Sequence, residues 1–282
     1  MKSTEKELII TNLNKLVERL GSQNKAANFL NVSSATVSQI INGKHELIRD
    51  EMFMKVKNNL NAHNLKHQIA ETHNKQKIDF FLKDAKEFKS VHGIIAPEGS
   101  GKTQSAETFT ENNKNTYHIK CSEYWNRKYF VQQLLLAMGE DPEGLTTPAL
   151  MDKIIRVLLV KQDPTIIIDE IDKLSDPVLY FFITLYNLLE DKCGIVTLAT
   201  PYFKKRLENG VRTNKKGYRE IYSRLGKKLI ELPEPTSTCM TQILLINGID
   251  SRKNIQDIIK DSQSDLRRVK KKISANNRKK AA

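Results

Sequence analysis

The segment Val91-His92-Gly93-Ile94-Ile95-Ala96-Pro97-Glu98-Gly99-Ser100-Gly101-Lys102-Thr103 constrains this chain more than any other. A short apolar strand runs into a turn with two glycines, and a helix beginning QSAETF follows. Gly99 and Gly101 allow the backbone to turn its N–H groups inward, and the following helix presents its positive end to an anion. This is a phosphate-binding loop, with Ala96 where the pattern usually has its first glycine. Pro97, Glu98, Gly99, Ser100, Gly101, Lys102, Thr103 and Gln104 form the expected nucleotide-binding set. Lys102 is expected on the β- and γ-phosphates and the Thr103 hydroxyl on Mg²⁺, so ATP and Mg²⁺ are the expected cofactors.

A second motif, Thr165-Ile166-Ile167-Ile168-Asp169-Glu170-Ile171-Asp172, is an apolar run ending in acids. Such acids are costly to bury unless they emerge at a strand's carboxyl end, where open α/β sheets bind ligands. Asp169 is expected to hold Mg²⁺ through water and Glu170 to polarise the water that attacks the γ-phosphate. A further apolar run, Gly194–Ala199, ends in Thr200, which the pattern places near the γ-phosphate or the attacking water.

Strand-like runs at 91–96, 117–120, 165–168, 194–199 and 228–232 alternate with helical stretches, which implies a parallel sheet with helices on both faces. Thr147-Pro148 and Asp176-Pro177 each read as an N-cap followed by proline at the first helical position. After Pro233-Glu234-Pro235 the strands stop and three short helices remain, about 236–247, 251–262 and 264–275.

The N-terminal region reads differently. Thr11 to Leu20 carries a helical apolar stripe, and Gln23–Ile41 fits a helix-turn-helix: Ala27 where helices cross, Asn31 in the turn, and Val32, Val37 and Ile40 on the buried face. Ser33, Ser34, Thr36, Ser38 and Gln39 then face outward and Lys44 follows the Asn42-Gly43 turn, making these the expected DNA contacts of this module. A small helical protein-interaction module fits the same residues. The reading helix lacks arginine, so little sequence specificity is expected.

The net charge of +13 lies in the last 80 residues: residues 1–202 hold 25 basic and 25 acidic side chains, whereas residues 203–282 hold 21 and 8. A basic face of this size suits a polyanion, most often nucleic acid. The longest apolar runs fall far short of the ~20 residues that span a bilayer, and no signal-peptide segment opens the chain. Three dispersed cysteines give neither a metal-ligand spacing nor an even disulfide set, so a cytoplasmic location without membrane contact is expected.

A phosphate loop, an Asp-Glu strand end, a polar strand tip at Thr200, Ser223-Arg224 and a late helical Arg267, in this order, resemble the AAA+ ATPases. By that resemblance Thr200 is sensor 1, Arg224 the arginine finger reaching a neighbouring subunit's nucleotide, and Arg267 sensor 2 in a helical lid. With the helix-turn-helix, and with APEGSGKT, YHIKCSEYWNRKYFVQQLLLAMG, TIIIDEIDKL and IYSRLGKKL, the chain is similar to the Mu B-type transposition ATPases and their IstB- and TnsC-like relatives. The resemblance implies an α/β fold: an AAA+ P-loop core with a parallel sheet and small helical lid, preceded by an all-α helix-turn-helix domain. The expected organisation is 1–62 helix-turn-helix, 63–77 linker, 78–234 core, 235–276 lid and 277–282 basic tail. It also implies double-stranded DNA and a transposase as partners, and a homo-oligomeric filament or ring on DNA, with ATP hydrolysis controlling disassembly. Lys120, Arg127 and Lys128, around Trp125, are candidate DNA contacts of the core. Two other readings stay open: a DnaC-like helicase loader or replication initiator, and a nucleotide-responsive helix-turn-helix regulator.

Overall fold

The computed structural model describes residues 3–20, 22–30, 32–43, 48–64, 68–226 and 228–281. The chain divides into two compact units, Met1–Gln68 with Ile273–Ala282, and Ile69–Lys272.

The first unit holds α1 (Ser3–Leu20), α2 (Gln23–Phe29), α3 (Ser34–Ile41) and α4 (Asp50–Asn64). α1 starts well before Thr11, because Ile9 joins Leu13 and Leu16 in the core and extends the apolar stripe by a turn. Ala26, Ala27, Leu30, Val37, Ile40, Phe53, Val56 and Leu60 complete that core, as the spacing of the second and third helices requires. Ser33 caps α3, its Oγ accepting from the Thr36 N–H at 3.0 Å. Asn31 and Lys44 lie outside the described residues.

The second unit is built on a five-stranded sheet ordered β2-β3-β4-β1-β5, with every neighbouring pair parallel. Its strands are β1 (Val91–Ile95), β2 (Thr116–Lys120), β3 (Thr165–Asp169), β4 (Gly194–Ala199) and β5 (Ile230–Glu231). α5 (His73–Phe88) precedes β1. Between the strands come α6 (Lys102–Asn112), α7 (Arg127–Ala137), α8 (Thr147–Leu159), α9 (Asp176–Leu189), α10 (Pro201–Arg212) and α11 (Tyr218–Arg224). α12 (Ser237–Ile246), α13 (Arg252–Ser262) and α14 (Leu266–Ala281) follow β5 in the chain, the part of α14 from Ile273 on belonging to the first unit.

β3 and β4 are buried along their whole length because helices cover both faces of the sheet. One face packs Ile166, Ile168 and Ile195 against Phe130, Phe182 and Phe203, and the other packs Ile94, Ile167 and Val196 against Ile78, Leu82 and Phe109. Truncating one of these phenylalanines to alanine costs about 3–5 kcal/mol, since the cavity cannot close. At Gly194 an added Cβ would stand 2.1 Å from the Ala85 carbonyl oxygen, so only glycine lets α5 lie this close to β4.

Further boundaries differ from the sequence reading. α8 is capped by Thr146 and α9 follows Ser175 at its N-cap, one residue before the expected caps, so Thr147 and Asp176 are already helical. β5 is two residues long rather than five: it is an edge strand pairing with β1 alone, and Pro233, which lacks a donor, soon ends it. The stretch 63–77, expected as a linker or a solvated helix, is helical at both ends among its described residues. α4 runs to Asn64, and α5 begins at His73 behind its N-cap Thr72, anchored by the buried Asn74, Lys75 and Ile78. α14 continues unbroken through 276–277, so the expected lid-tail boundary is not a break between elements.

Candidate nucleotide-binding site

The sheet brings the carboxyl ends of β3, β4 and β1 side by side, and these ends carry Asp169, Thr200 and the glycine-rich loop. Gly99 (φ 71°) and Gly101 (φ 93°) adopt the left-handed conformation that non-glycine residues pay to enter, and Gly101 is the N-cap of α6. Ser100 is buried and its hydroxyl has no partner among the described residues. Pro97 is half-buried and Glu98 exposed; the Gln104 amide donates to Glu107 at 3.4 Å.

Lys102 lies inside the cradle, 8% exposed, donating to the Ala96 and Pro97 carbonyls at 2.5 and 2.9 Å. Burial pushes its ammonium below the ordinary lysine value; Asp169, Glu98 and Asp172 oppose the shift and the charge of Arg267 adds to it. Arg267, in the first turn of α14, is thus electrostatically coupled to the phosphate loop although its side chain is exposed.

The Thr103 hydroxyl donates to Asp169 Oδ2 at 2.7 Å, and Asp169 is fully buried. Burial alone raises the Asp169 carboxyl. The His118 imidazole 3.6 Å away, the Thr103 hydroxyl and the Glu170 N–H outweigh burial and hold it below the ordinary aspartate value. A hydroxyl and an ionised carboxylate meeting beside a phosphate loop suit a hard cation such as Mg²⁺. Among the described residues no cluster of three His, Cys, Asp or Glu side chains forms a metal cage.

Glu170 follows with φ 55° and ψ 39°, an uncommon backbone for a non-glycine residue that turns the chain sharply as β3 ends. Its carboxylate is paired with Lys173 at 2.7 Å and Lys120 at 3.5 Å. Thr200, N-cap of α10, donates its hydroxyl to Asp172 Oδ2 at 2.8 Å. The following loop is pinned by Arg206, whose guanidinium donates to the Asp172 and Leu174 carbonyls, to Asp176 and to the Tyr218 hydroxyl. Asp176 also pairs with Lys215 at 2.5 Å.

The lid meets the loop directly. The Leu266 N–H donates to the Gly99 carbonyl at 2.9 Å, and a Cβ on Gly99 would overlap the Asp265 carboxylate. Two successive non-glycine residues with positive φ, Gln263 (48°) and Ser264 (61°), form the turn that delivers Asp265 to this contact.

The structure therefore brings Lys102, Thr103, Asp169, Glu170, Thr200 and Arg267 around one loop. Arg224 stands elsewhere: its Nε donates to Asn187 at 3.0 Å, it pairs with Glu220, and it lies over the Tyr186 ring. Lys120, expected among DNA contacts, pairs with Glu170; Arg127 and Lys128 are exposed at the start of α7. On α3, Ser33 and Ser34 are exposed and Thr36, Ser38 and Gln39 half-buried. The Ser33 and Thr36 hydroxyls bond each other at 2.8 Å, and Ser38 accepts from Asn42. His118, Asp172, Lys173, Arg206 and Asp265 were not singled out from sequence as site residues. Asp172 and Lys173 sit inside the DEIDKL motif, whereas His118 is found only through strand adjacency.

Residues 89–207 match a protein-family model described as an AAA domain. No curated protein matches the sequence. Similar solved structures include the following three. The Aeropyrum pernix ORC1 protein in complex with DNA is 14% identical, with 73% of this chain and 59% of that chain covered and a TM-score of 0.56. Cdc6p from Pyrobaculum aerophilum is 17% identical over 65% of this chain and 52% of that one, TM-score 0.46. Drosophila ORC bound to DNA is 11% identical over 74% and 57%, TM-score 0.48. The chain thus spans between about half and three-fifths of the length of these proteins.

Proposed function

We propose that this chain, an AAA+ P-loop NTPase by fold, is a Mg²⁺-dependent ATPase that assembles on duplex DNA with little sequence preference and marks it as a target for a transposase. The observation that carries the ATPase part is the convergence of Lys102, Thr103, Asp169, Glu170 and Thr200 on one loop. In this reading the loop amides and Lys102 bind phosphates, and Thr103, with Asp169 through water, would hold Mg²⁺, which would supply positive charge to neutralise them. Glu170 takes a proton from the attacking water, and Thr200, oriented by Asp172, positions that water. Arg267 approaches from the lid, and Arg224 completes the site of a neighbouring subunit.

The DNA part rests on charge. All of the +13 lies beyond residue 202, and α14 carries no acid in LRRVKKKISANNRKKA. Contacts of this kind go mainly to phosphate, so binding should weaken steeply with salt. The ORC1 protein of similar fold was captured with DNA, which agrees with this reading and equally suits a replication initiator or helicase loader.

Electron microscopy of the protein with duplex DNA, in ATP and in ADP, tests the proposal. Filaments or rings formed only with ATP are the expected result. Tight binding to one operator as a dimer, indifferent to nucleotide, would replace it with the regulator reading.

A further inference from the structure

We infer that Tyr124 and Tyr129, flanked by Arg127 and Lys128, form a stacking platform for unpaired DNA bases, beside the nucleotide site and distinct from the phosphate contacts to duplex. The inference rests on the DNA-binding reading above and names the form of DNA this surface takes.

Tyr124 is 76% exposed and Tyr129 36%, an unusual position for two large rings that could have been buried. Their centroids stand 5.9 Å apart with planes tilted by 55°, so they support each other at the edges rather than covering each other's faces. Below them Trp125 is buried, 5.6 Å from Tyr129 in edge-to-face contact, and its indole N–H has no partner among the described residues. The Trp125 backbone is fixed by its bond to the Ser122 carbonyl at 3.2 Å, and Asn126 caps α7 by accepting from the Tyr129 N–H at 2.9 Å. The rings are thus mounted on a rigid turn.

The charges point the same way. The first turn of α7 holds no acid and begins Arg127-Lys128, both exposed. Cations at a helix N-terminus oppose the helix dipole, where acids would stabilise it. Their positive charge adds to that of the helix end and makes a site for an anion. Arg127 already uses its Nε on the Pro177 carbonyl at 3.0 Å, which orients its remaining donors, and Glu123 is the acid within the turn. Flat aromatic faces with cations three and four residues beyond Tyr124 match a nucleotide, which offers a π-face and an anion together. An acidic peptide supplies the anion without the flat partner. Bases in intact duplex are stacked on each other, so only unpaired or splayed bases can use the rings.

The chain has one tryptophan, and it lies in this platform, so its fluorescence reports on the site. Titration with an oligothymidylate of about 20 nucleotides should quench or shift Trp125 emission, whereas duplex of the same length should do so less. Tyr124→Ala and Tyr129→Ala should each weaken oligothymidylate binding by about 5- to 100-fold while changing duplex affinity little. Tyr124→Phe and Tyr129→Phe should keep wild-type binding, which separates loss of stacking from misfolding. Arg127→Ala with Lys128→Ala should reduce the magnitude of the single-strand salt slope by about 1.4. Oligothymidylate binding that ignores both tyrosines overturns the platform, as does equal quenching by polyglutamate or a tyrosine effect confined to self-association. Absence of all DNA binding by the wild-type chain would instead remove the broader reading, and duplex binding without tyrosine dependence would remove the platform alone.

Discussion

Thr200 donates its hydroxyl proton to Asp172 at 2.8 Å, joining the tip of β4 to the loop that leaves β3. The two residues are 28 apart in sequence, and the pairing of β3 with β4 makes them neighbours. A hydroxyl held this way offers its oxygen in one direction instead of rotating among three. Under the proposed mechanism, Thr200→Val should lower kcat by about 10²-fold with KM for ATP little changed. Asp172→Asn should do the same more mildly, because an amide oxygen still accepts the bond. Steady-state kinetics of both variants decide the matter, and a rise in KM alone would mean that Thr200 contributes only to binding.

Lys102 is expected to be indispensable for nucleotide. It fills the cradle with its own ammonium, so ATP exchanges phosphate oxygens for the Ala96 and Pro97 carbonyls. Lys102→Ala should bind ATP too weakly for calorimetry to detect. Wild-type affinity in that variant would mean that phosphates bind elsewhere.

Glu170 gives the second catalytic test. Glu170→Gln keeps the shape of the side chain and removes its basicity, so ATP binding should persist while turnover drops by about 10²- to 10⁴-fold. The protein should then remain in its DNA-bound, assembled form. Normal ATP hydrolysis by this variant would assign the water-activating role to another group.

Asp176 predicts an acid limit on stability. Burial raises its carboxyl, but hydrogen bonds from Lys215, Arg206 and Tyr218 outweigh that and lower it from 3.8 to about 2. The folded value lies below the unfolded one, so the stabilisation is complete above about pH 4 and disappears as pH falls towards 2. Its size is about 2 kcal/mol. Asp176→Asn should lower the melting temperature at pH 7 and flatten the fall in stability between about pH 4 and 2. An unchanged acid profile would show that the network around Arg206 contributes nothing measurable.

How far the sequence disclosed these features depends on the range of the interactions. The phosphate loop and the strand ending in Asp169-Glu170 were legible because backbone and burial requirements act over a few consecutive residues. Thr146 and Ser175 were missed as caps because Thr147 and Asp176, each directly before a proline, are equally good cap residues, and only backbone angles separate the neighbours. The start of α5 was obscured by the polar residues Asn74 and Lys75. They are buried through tertiary partners, the Pro233 carbonyl for Asn74 and Asp79 with Glu71 for Lys75. His118 reaches Asp169 only because β2 lies beside β3, and Asp265 reaches Gly99 only because the lid folds back. Neither adjacency has a local signature.

The bond from the Leu266 N–H to the Gly99 carbonyl ties the start of α14 to the phosphate loop. The Leu266 amide proton can exchange with solvent only when that bond parts, so its deuterium uptake clocks the opening directly. A bound nucleotide that closes the lid should slow the clock, and one that pries Asp265 away should quicken it. The sign of that change tells whether α14 opposes or assists nucleotide entry.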